Sequence, residues 1–231
     1  MRIRSFIIAY ALVLAILLFA DRRPGSRQQD RYSHVVDLTA GQTTTAPHTS
    51  APESGTRIIA PDALIPGTWS AGQIPPERLI APLVVMDLNP ANAIALNDGR
   101  RQISLDDIAA WESHNGMIPQ GAVVAIRRMG ASHDLSTADL STATSTPFPI
   151  AHDAAMFLIE ARDTIGFAVE TPVNFSFDHT LAQQLALHGN YVVEGTERFT
   201  ALPATGSLII VAPEKGKKPG ENAVRILAMV R

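Results

Sequence analysis

Residues 151–195 read AHDAAMFLIEARDTIGFAVETPVNFSFDHTLAQQLALHGNYVVEG, and this stretch decides the fold. A helical segment is followed by the strand pattern GFAVETP. A second helical segment ends at Gly189 and precedes the strand pattern NYVVEG. Helices that alternate with apolar strands indicate parallel βαβ units, and therefore an α/β domain. The first helix is expected to bury Ala155, Phe157, Leu158 and Ala161.

Patterns of the same kind extend in both directions. Apolar strand patterns occur in LIAPLVVMDLN, AVVAIRRMG, GSLIIVAPE and AVRILAMVR. The segment SLDDIAAWESHNG predicts a helix, because Ser104 and Asp107 have the spacing of an acidic capping box. No repeat and no clear linker divides the chain after Asp37. We therefore predict one domain over residues 34–231.

Composition excludes several classes of protein. The chain has 231 residues, a net charge of −3 and no cysteine. The absence of cysteine excludes disulfides, zinc fingers and thiol nucleophiles. A general nucleic-acid binder would carry a strong basic excess, so nucleic acid is not an expected partner.

The N-terminus predicts export. Two arginines in MRIR precede an uncharged apolar run that ends at Ala20, which is the pattern of a signal peptide or a signal anchor over residues 1–20. Residues 21–33 are polar and predict a tether. Both readings place the remainder in the periplasm or otherwise outside the cytoplasm, either secreted or anchored. Contact with a membrane is expected only through this N-terminal segment.

The stretch ESGTRIIAPDALIPGTWSAGQIPPERLIAPLVVMDL, residues 53–88, resembles the signature region of the cyclase family, which includes bacterial kynurenine formamidases. The family pattern is H-x-G-T-H-x-D-x-P-x-H, followed by Gly, Trp and an IP-E-RL segment. The positions that agree are Gly55, Thr56, Pro61, Gly67, Trp69, Ile74, Pro75, Glu77, Arg78 and Leu79. Later segments agree in order as well, so the resemblance runs from about Val35 to Val230.

The resemblance implies a fold and an activity. The fold is a single compact α/β domain of the swivelling β/β/α type, with a mixed β-sheet or partial barrel core and flanking helices. The activity is hydrolysis of amides such as N-formylkynurenine, with zinc or manganese as cofactor and generally a homodimeric assembly. A metal in such a site lowers the pKa of bound water and polarises a carbonyl.

The family's ligand positions are mostly substituted in this sequence. Glu194 matches the family's ligand glutamate, and Glu53, which stands at the first histidine position, could substitute for that histidine as a ligand. The remaining histidine and aspartate ligands fall on Arg57, Ile59 and Ala182, and the catalytic histidine falls on Ala63. Glu170 replaces a further aspartate, and Trp69 falls beside the family's active-site mouth.

Arg57 is the most damaging of these substitutions. At about 4 Å a guanidinium and a dication repel by several kcal/mol, even at an effective dielectric constant of about 20. We therefore expect an ion pair between Arg57 and either Glu53 or Glu194 in place of the metal. The alternative to this ion pair is a metal site that has moved to His179, His188 and Glu194.

The sequence supports two functional hypotheses. The first is a catalytically degenerate member of the family, without a cofactor, that binds a small molecule or serves a structural role. Its residual pocket would contain Glu53, Arg57, Trp69, Glu170 and Glu194. The second is an active hydrolase of amide or lactone bonds with altered metal ligands, using zinc or manganese.

Overall fold

The computed structural model describes residues 32–40, 55–88, 94–95, 101–128, 146–214 and 223–231. The predicted signal segment, the tether as far as residue 31 and Glu53 lie outside these ranges. Within the described ranges, no helix is long and apolar enough to cross a membrane.

The order of elements follows the predicted alternation in the second half of the chain. The strands are β1 His34–Asp37, β2 Arg57–Ile59, β3 Ile80–Leu88, β4 Ile94–Ala95, β5 Arg101–Gln102, β6 Val123–Arg128, β7 Gly166–Val169, β8 Tyr191–Glu194, β9 Ser207–Pro213 and β10 Val224–Val230. The α-helices are α1 Pro61–Leu64, α2 Leu105–Asn115, α3 His152–Arg162 and α4 His179–Leu187. Short 3₁₀ helices occupy Ala71–Gln73, Pro76–Arg78, Phe175–Phe177 and Phe199–Ala201.

Eight strands form one mixed sheet in the order β1-β10-β9-β3-β6-β7-β8-β2. The central strands β3, β6, β7 and β8 are parallel. The strands β9, β10 and β1 continue the sheet antiparallel on one side, and β2 pairs antiparallel with β8 on the other. The four parallel strands therefore end at one common edge, which we call the carboxyl edge.

Alternate residues of the strands bury two apolar clusters on opposite faces of the sheet. One face carries Ile58, Val85, Ala125 and Val193, which pack with Phe199 and Leu202. The other face carries Ile59, Val84, Val124 and Val192, on which α2, α3 and α4 pack through Ile108, Leu158, Leu181 and Leu185. Burial on both faces explains why the parallel strands read as continuous apolar runs.

The sheet curls until its two sides meet at isolated bridges. Thr39, just after β1, bridges Thr196, just after β8. Arg57 of β2 bridges Ala223, immediately before β10. The predicted partial barrel with flanking helices is therefore confirmed, in the form of a curled half-barrel.

Local signals in the sequence place the helix ends correctly. The Ser104 hydroxyl accepts a hydrogen bond from the Asp107 amide, and the Asp107 carboxylate accepts one from the Ser104 amide, which is the predicted capping box. Gly189 has the left-handed backbone expected after a helix end, with φ +68°.

The predicted face of α3 is partly wrong. Ala161 is exposed, whereas Ala154 and Ile159 are buried beside Ala155 and Leu158. The buried stripe is therefore rotated around the helix, because α3 packs against neighbouring helices as well as the sheet. Phe157 lies only partly in the cluster and carries the Arg162 guanidinium 4.6 Å above its ring centroid.

An ion pair between α2 and α3 makes stability depend on pH. Arg162 donates two hydrogen bonds to the Glu112 carboxylate, at 2.7 and 2.8 Å, and thereby holds the pKa of Glu112 below its ordinary value of 4.5. The lowered pKa stabilises the fold above the unfolded-state pKa, and this contribution is lost as the pH falls through the folded-state pKa. We expect the stability difference between wild type and Arg162→Gln to shrink on acidification, as measured by urea unfolding.

Glu112→Gln is the control, because it removes the titrating carboxyl group. In that background, Arg162→Gln should have an effect that changes little across the same pH range. A difference between wild type and Arg162→Gln that stays constant with pH would contradict this assignment.

Candidate functional site

Charged side chains collect at the carboxyl edge of the parallel strands. In open α/β sheets, this edge is where ligands usually bind. Here β3 ends near Asp87, β6 near Arg127 and β8 at Glu194, while Glu170 directly follows β7. Arg57 begins β2 beside the end of β8, because the two residues are direct partners in the antiparallel pair.

Arg57 and Glu194 form an ion pair at this edge. Arg57 Nη2 lies 2.6 Å from Glu194 Oε1. The other carboxylate oxygen, Oε2, accepts a hydrogen bond of 3.0 Å from the Val173 amide. The Glu194 side chain is 6% exposed and the Arg57 side chain 37%. The sequence predicted a partner for Arg57, and the structure assigns Glu194 to it.

The backbone brings the two residues together through a glycine. Gly195 follows Glu194 directly and has φ +68°, and a Cβ at this position would lie 2.6 Å from the Gly55 carbonyl oxygen. The Thr56 hydroxyl donates a hydrogen bond of 2.7 Å to the Gly195 carbonyl. The Gly55–Thr56 pair of the signature is therefore held against the end of β8, which places Arg57 opposite Glu194.

The remaining substituted positions contribute no charge. Ile59 lies two residues beyond Arg57 on the same face of β2 and packs against the helix-side apolar cluster. Ala182 is buried within α4, and Ala63 is exposed on α1. The positions around Arg57 in the signature are therefore apolar, and Val173, whose amide bonds to Glu194, packs against the same cluster as Ile59.

Trp69 makes its contacts near the other end of β8. Its ring covers Gly189, where an added Cβ would lie 2.8 Å from Trp69 Cζ3, and the Arg78 guanidinium lies 5.7 Å from the ring centroid. Gly189 precedes β8 whereas Glu194 ends it, so the structure does not bring Trp69 into contact with the ion pair through this packing. A pocket lined by Trp69 stays a prediction.

Glu170 is engaged at the carboxyl edge, where its Oε2 accepts a hydrogen bond of 3.0 Å from the Arg128 amide. Nearby, Arg127 donates to both oxygens of Asp87, at 2.5 and 2.9 Å, and to the carbonyls of Phe199 and Leu202. The bond to Asp87 raises the pKa of the Arg127 guanidinium. Sequence reasoning missed this pair. The sequence feature that could have predicted the pair is the charged residue that directly follows each apolar run, in VVMD and VAIRR.

The relocated metal site is wrong. His179 begins α4, whereas His188 follows its last residue and places Nδ1 2.9 Å from the Gln184 carbonyl. A nine-residue helix separates these two ends by roughly 13 Å. Within the described part of the chain, no group of three or more histidine, aspartate or glutamate side chains could hold an ion.

The chemistry of the donors tests whether the original site still fits a metal. Among Arg57, Ile59, Ala182 and Glu194, the only anionic ligand is the Glu194 carboxylate. Both of its oxygens already accept hydrogen bonds. Zinc in proteins normally takes three or four nitrogen, sulfur or oxygen ligands, and a guanidinium offers none. These four residues do not fit a divalent cation.

The fold and the charged edge define a class of protein. Its members have a single curled mixed sheet, helices on one face of that sheet, and a site at the carboxyl edge of the parallel strands. The family model Cyclase, described as "Putative cyclase", matches residues 26–179. The chain therefore belongs to the cyclase family. Ala182 and Glu194 lie beyond the matched segment, and their assignment as ligand positions rests on the resemblance in sequence.

Solved structures share this fold over most of their length. Isatin hydrolase A from Labrenzia aggregata, bound to benzyl benzoate, is 25% identical with a TM-score of 0.65, over 85% of this chain and 93% of that protein. Isatin hydrolase A from Ralstonia solanacearum is 22% identical with a TM-score of 0.65, over 86% and 92%. A potential metal-dependent hydrolase with cyclase activity is 21% identical with a TM-score of 0.58, over 86% and 98%. A search of the curated proteins gave no match.

Proposed function

We propose that this protein is a catalytically degenerate member of the cyclase family, in which the ion pair between Arg57 and Glu194 takes the place of a divalent metal. One observation carries the proposal: Arg57 Nη2 lies 2.6 Å from Glu194 Oε1. The permanent charge of the guanidinium neutralises the carboxylate and repels a dication from the same space. Without an ion, water at this edge is not activated, and the site serves binding instead of hydrolysis.

A second candidate is an active hydrolase with altered ligands. The likeness to isatin hydrolases and to a metal-dependent hydrolase favours it. Glu53, which lies outside the described residues, would have to contribute to such a site. Its substrates would be amide or lactone bonds, with N-formylkynurenine and isatin as the first compounds to assay.

Metal analysis and hydrolysis assays on the same preparation separate the two candidates. The full-length protein is purified with zinc and manganese in the medium, and bound metal is measured. Hydrolysis of N-formylkynurenine and isatin is then followed with and without EDTA. The proposed function predicts substoichiometric metal and no EDTA-sensitive turnover. Stoichiometric metal with turnover that EDTA abolishes would overturn it and establish the hydrolase.

Arg57→His provides the companion measurement, because it removes the repelling charge and restores one imidazole. We expect it to raise zinc retention above that of wild type, even if the ligand set stays too incomplete for hydrolysis. Equal zinc retention in wild type and variant would contradict the role assigned to Arg57.

The N-terminal pattern supports a further part of this proposal, that the protein acts outside the cytoplasm. Fractionation of the native host's cells, with probing of the exposed domain by added protease, tests it.

A further inference from the structure

The geometry points to a binding site for a carboxylate with an apolar body at the guanidinium of Arg57. This inference rests on the proposed function, because it requires that Arg57, and no metal, occupies the site. It adds the chemical class of the ligand to that proposal.

The first support is the free hydrogen-bonding capacity of Arg57. A guanidinium carries five N–H donors in a planar fork. Arg57 uses Nη2 for Glu194, and Nε and Nη1 have no side-chain or carbonyl acceptor among the described residues. The side chain as a whole is 37% exposed, so a ligand can reach it from solvent. Nη2 carries two N–H bonds, and one acceptor oxygen of Glu194 leaves the second available. Together with the N–H of Nε or Nη1 on the same side, it forms the pair of parallel donors that a carboxylate matches in distance and angle.

The second support is the fixed position of the guanidinium. Glu194 is almost fully buried and holds Arg57 through one oxygen, while the Val173 amide holds the other oxygen. Glu194 is therefore anchored from two sides and restrains the position of the guanidinium before a ligand arrives. A preoriented donor lowers the entropic cost of binding.

The third support is the surrounding surface. Ile59 lies beside Arg57 on the same face of β2, and Val173 adjoins the buried carboxylate. Both side chains are only partly buried where they pack against the helix-side apolar cluster, so each keeps some apolar surface exposed. A small inorganic anion would leave this surface uncovered, whereas an aryl or alkyl carboxylate covers it.

Phenylacetate and phenylacetamide form a matched pair of probes, because they differ only in the charged head group. Each is titrated into full-length, EDTA-treated protein at constant ionic strength, and the Nε–Hε NMR signal of Arg57 is followed. We expect phenylacetate to shift this signal in a saturable way. Phenylacetamide should bind at least about tenfold more weakly than phenylacetate. Acetate, which lacks the apolar body, should also bind more weakly than phenylacetate. Equal binding of the two matched probes would overturn the assignment of a carboxylate.

Two variants test the role of Arg57. Arg57→Lys keeps the charge but loses the fork and the Nε–Hε signal, so binding to the variants and to wild type is compared by isothermal titration calorimetry. We expect Arg57→Lys to weaken phenylacetate binding about tenfold. Arg225→Gln is the matched control, because Arg225 pairs with Asp37 on an exposed surface of β10, and its binding should equal that of wild type. Tryptophan fluorescence and thermal unfolding show that each variant is folded. Undiminished binding by Arg57→Lys would overturn the site.

The experiments distinguish a failure of the proposed function from a failure of the carboxylate site. If metal analysis finds a bound ion with EDTA-sensitive turnover, the proposed function fails and this inference fails with it. If the protein retains no metal and phenylacetate gives no saturable shift, only the carboxylate site fails.

Discussion

Replacing Glu194 with alanine is expected to lower the free energy of unfolding by about 3 kcal/mol, at the lower end of the cost of breaking a buried ion pair. The Glu194 side chain is 6% exposed, and its two oxygens serve the Arg57 guanidinium and the Val173 amide. The variant leaves both donors without their acceptor. The cost stays at the lower end because Arg57 is 37% exposed and regains hydration.

Urea unfolding measures this loss, and a double-mutant cycle assigns it. Arg57→Ala, Glu194→Ala and the double variant together yield the coupling between the two side chains. Arg225→Ala is the surface control: its ion pair with Asp37 has side chains that are 68% and 39% exposed, so its loss should stay below about 1 kcal/mol. A loss for Glu194→Ala that is no larger than that of the control would show that the pair does not hold this edge together.

Replacing Gly195 with alanine is expected to destabilise the fold by about 3 kcal/mol, from backbone strain and a steric clash together. Gly195 has φ +68°, which costs an L residue about 1 kcal/mol or more. The added Cβ would also lie 2.6 Å from the Gly55 carbonyl oxygen, which belongs to the backbone and cannot rotate away. Relief of the clash must therefore move the segment that carries Arg57 away from β8.

Gly121→Ala is the matched control, because Gly121 has φ +70° with nothing within 4 Å of the added Cβ. It should lose about 1 kcal/mol, from the backbone conformation alone. The difference between the two variants measures the close approach of Gly55 to Gly195. Equal losses in urea unfolding would mean that this approach relaxes without cost.

Much of the fold could be predicted from local patterns. The strands and helices of residues 151–195 appeared where the apolar periodicity placed them, because periods of 2 and 3.6 are properties of the chain itself. The capping box at Ser104 is local for the same reason, since its two partners are three residues apart. The exposed Ala161 shows the limit, because which stripe of a helix is buried depends on the neighbours it packs against.

The site was predictable only in part. The signature region predicted that Arg57 meets a carboxylate, and the structure shows the ion pair with Glu194. The assignment of the signature positions as substituted metal ligands stays a prediction. The role of the Val173 amide could not be predicted, because backbone groups carry no side-chain signal and its bond to Glu194 spans 21 residues. The pair of Asp87 and Arg127 was missed because it depends on which strands become neighbours.

The sequence by itself determined the α/β alternation and membership in the cyclase family, and it predicted that most of the family's metal ligands are substituted. Only the tertiary structure decided that Arg57 meets Glu194, 137 residues away along the chain. The physical reason is that strand order and register are set by burial of two apolar faces over the whole sheet, together with the close approach of Gly55 to Gly195. No local pattern contains that information.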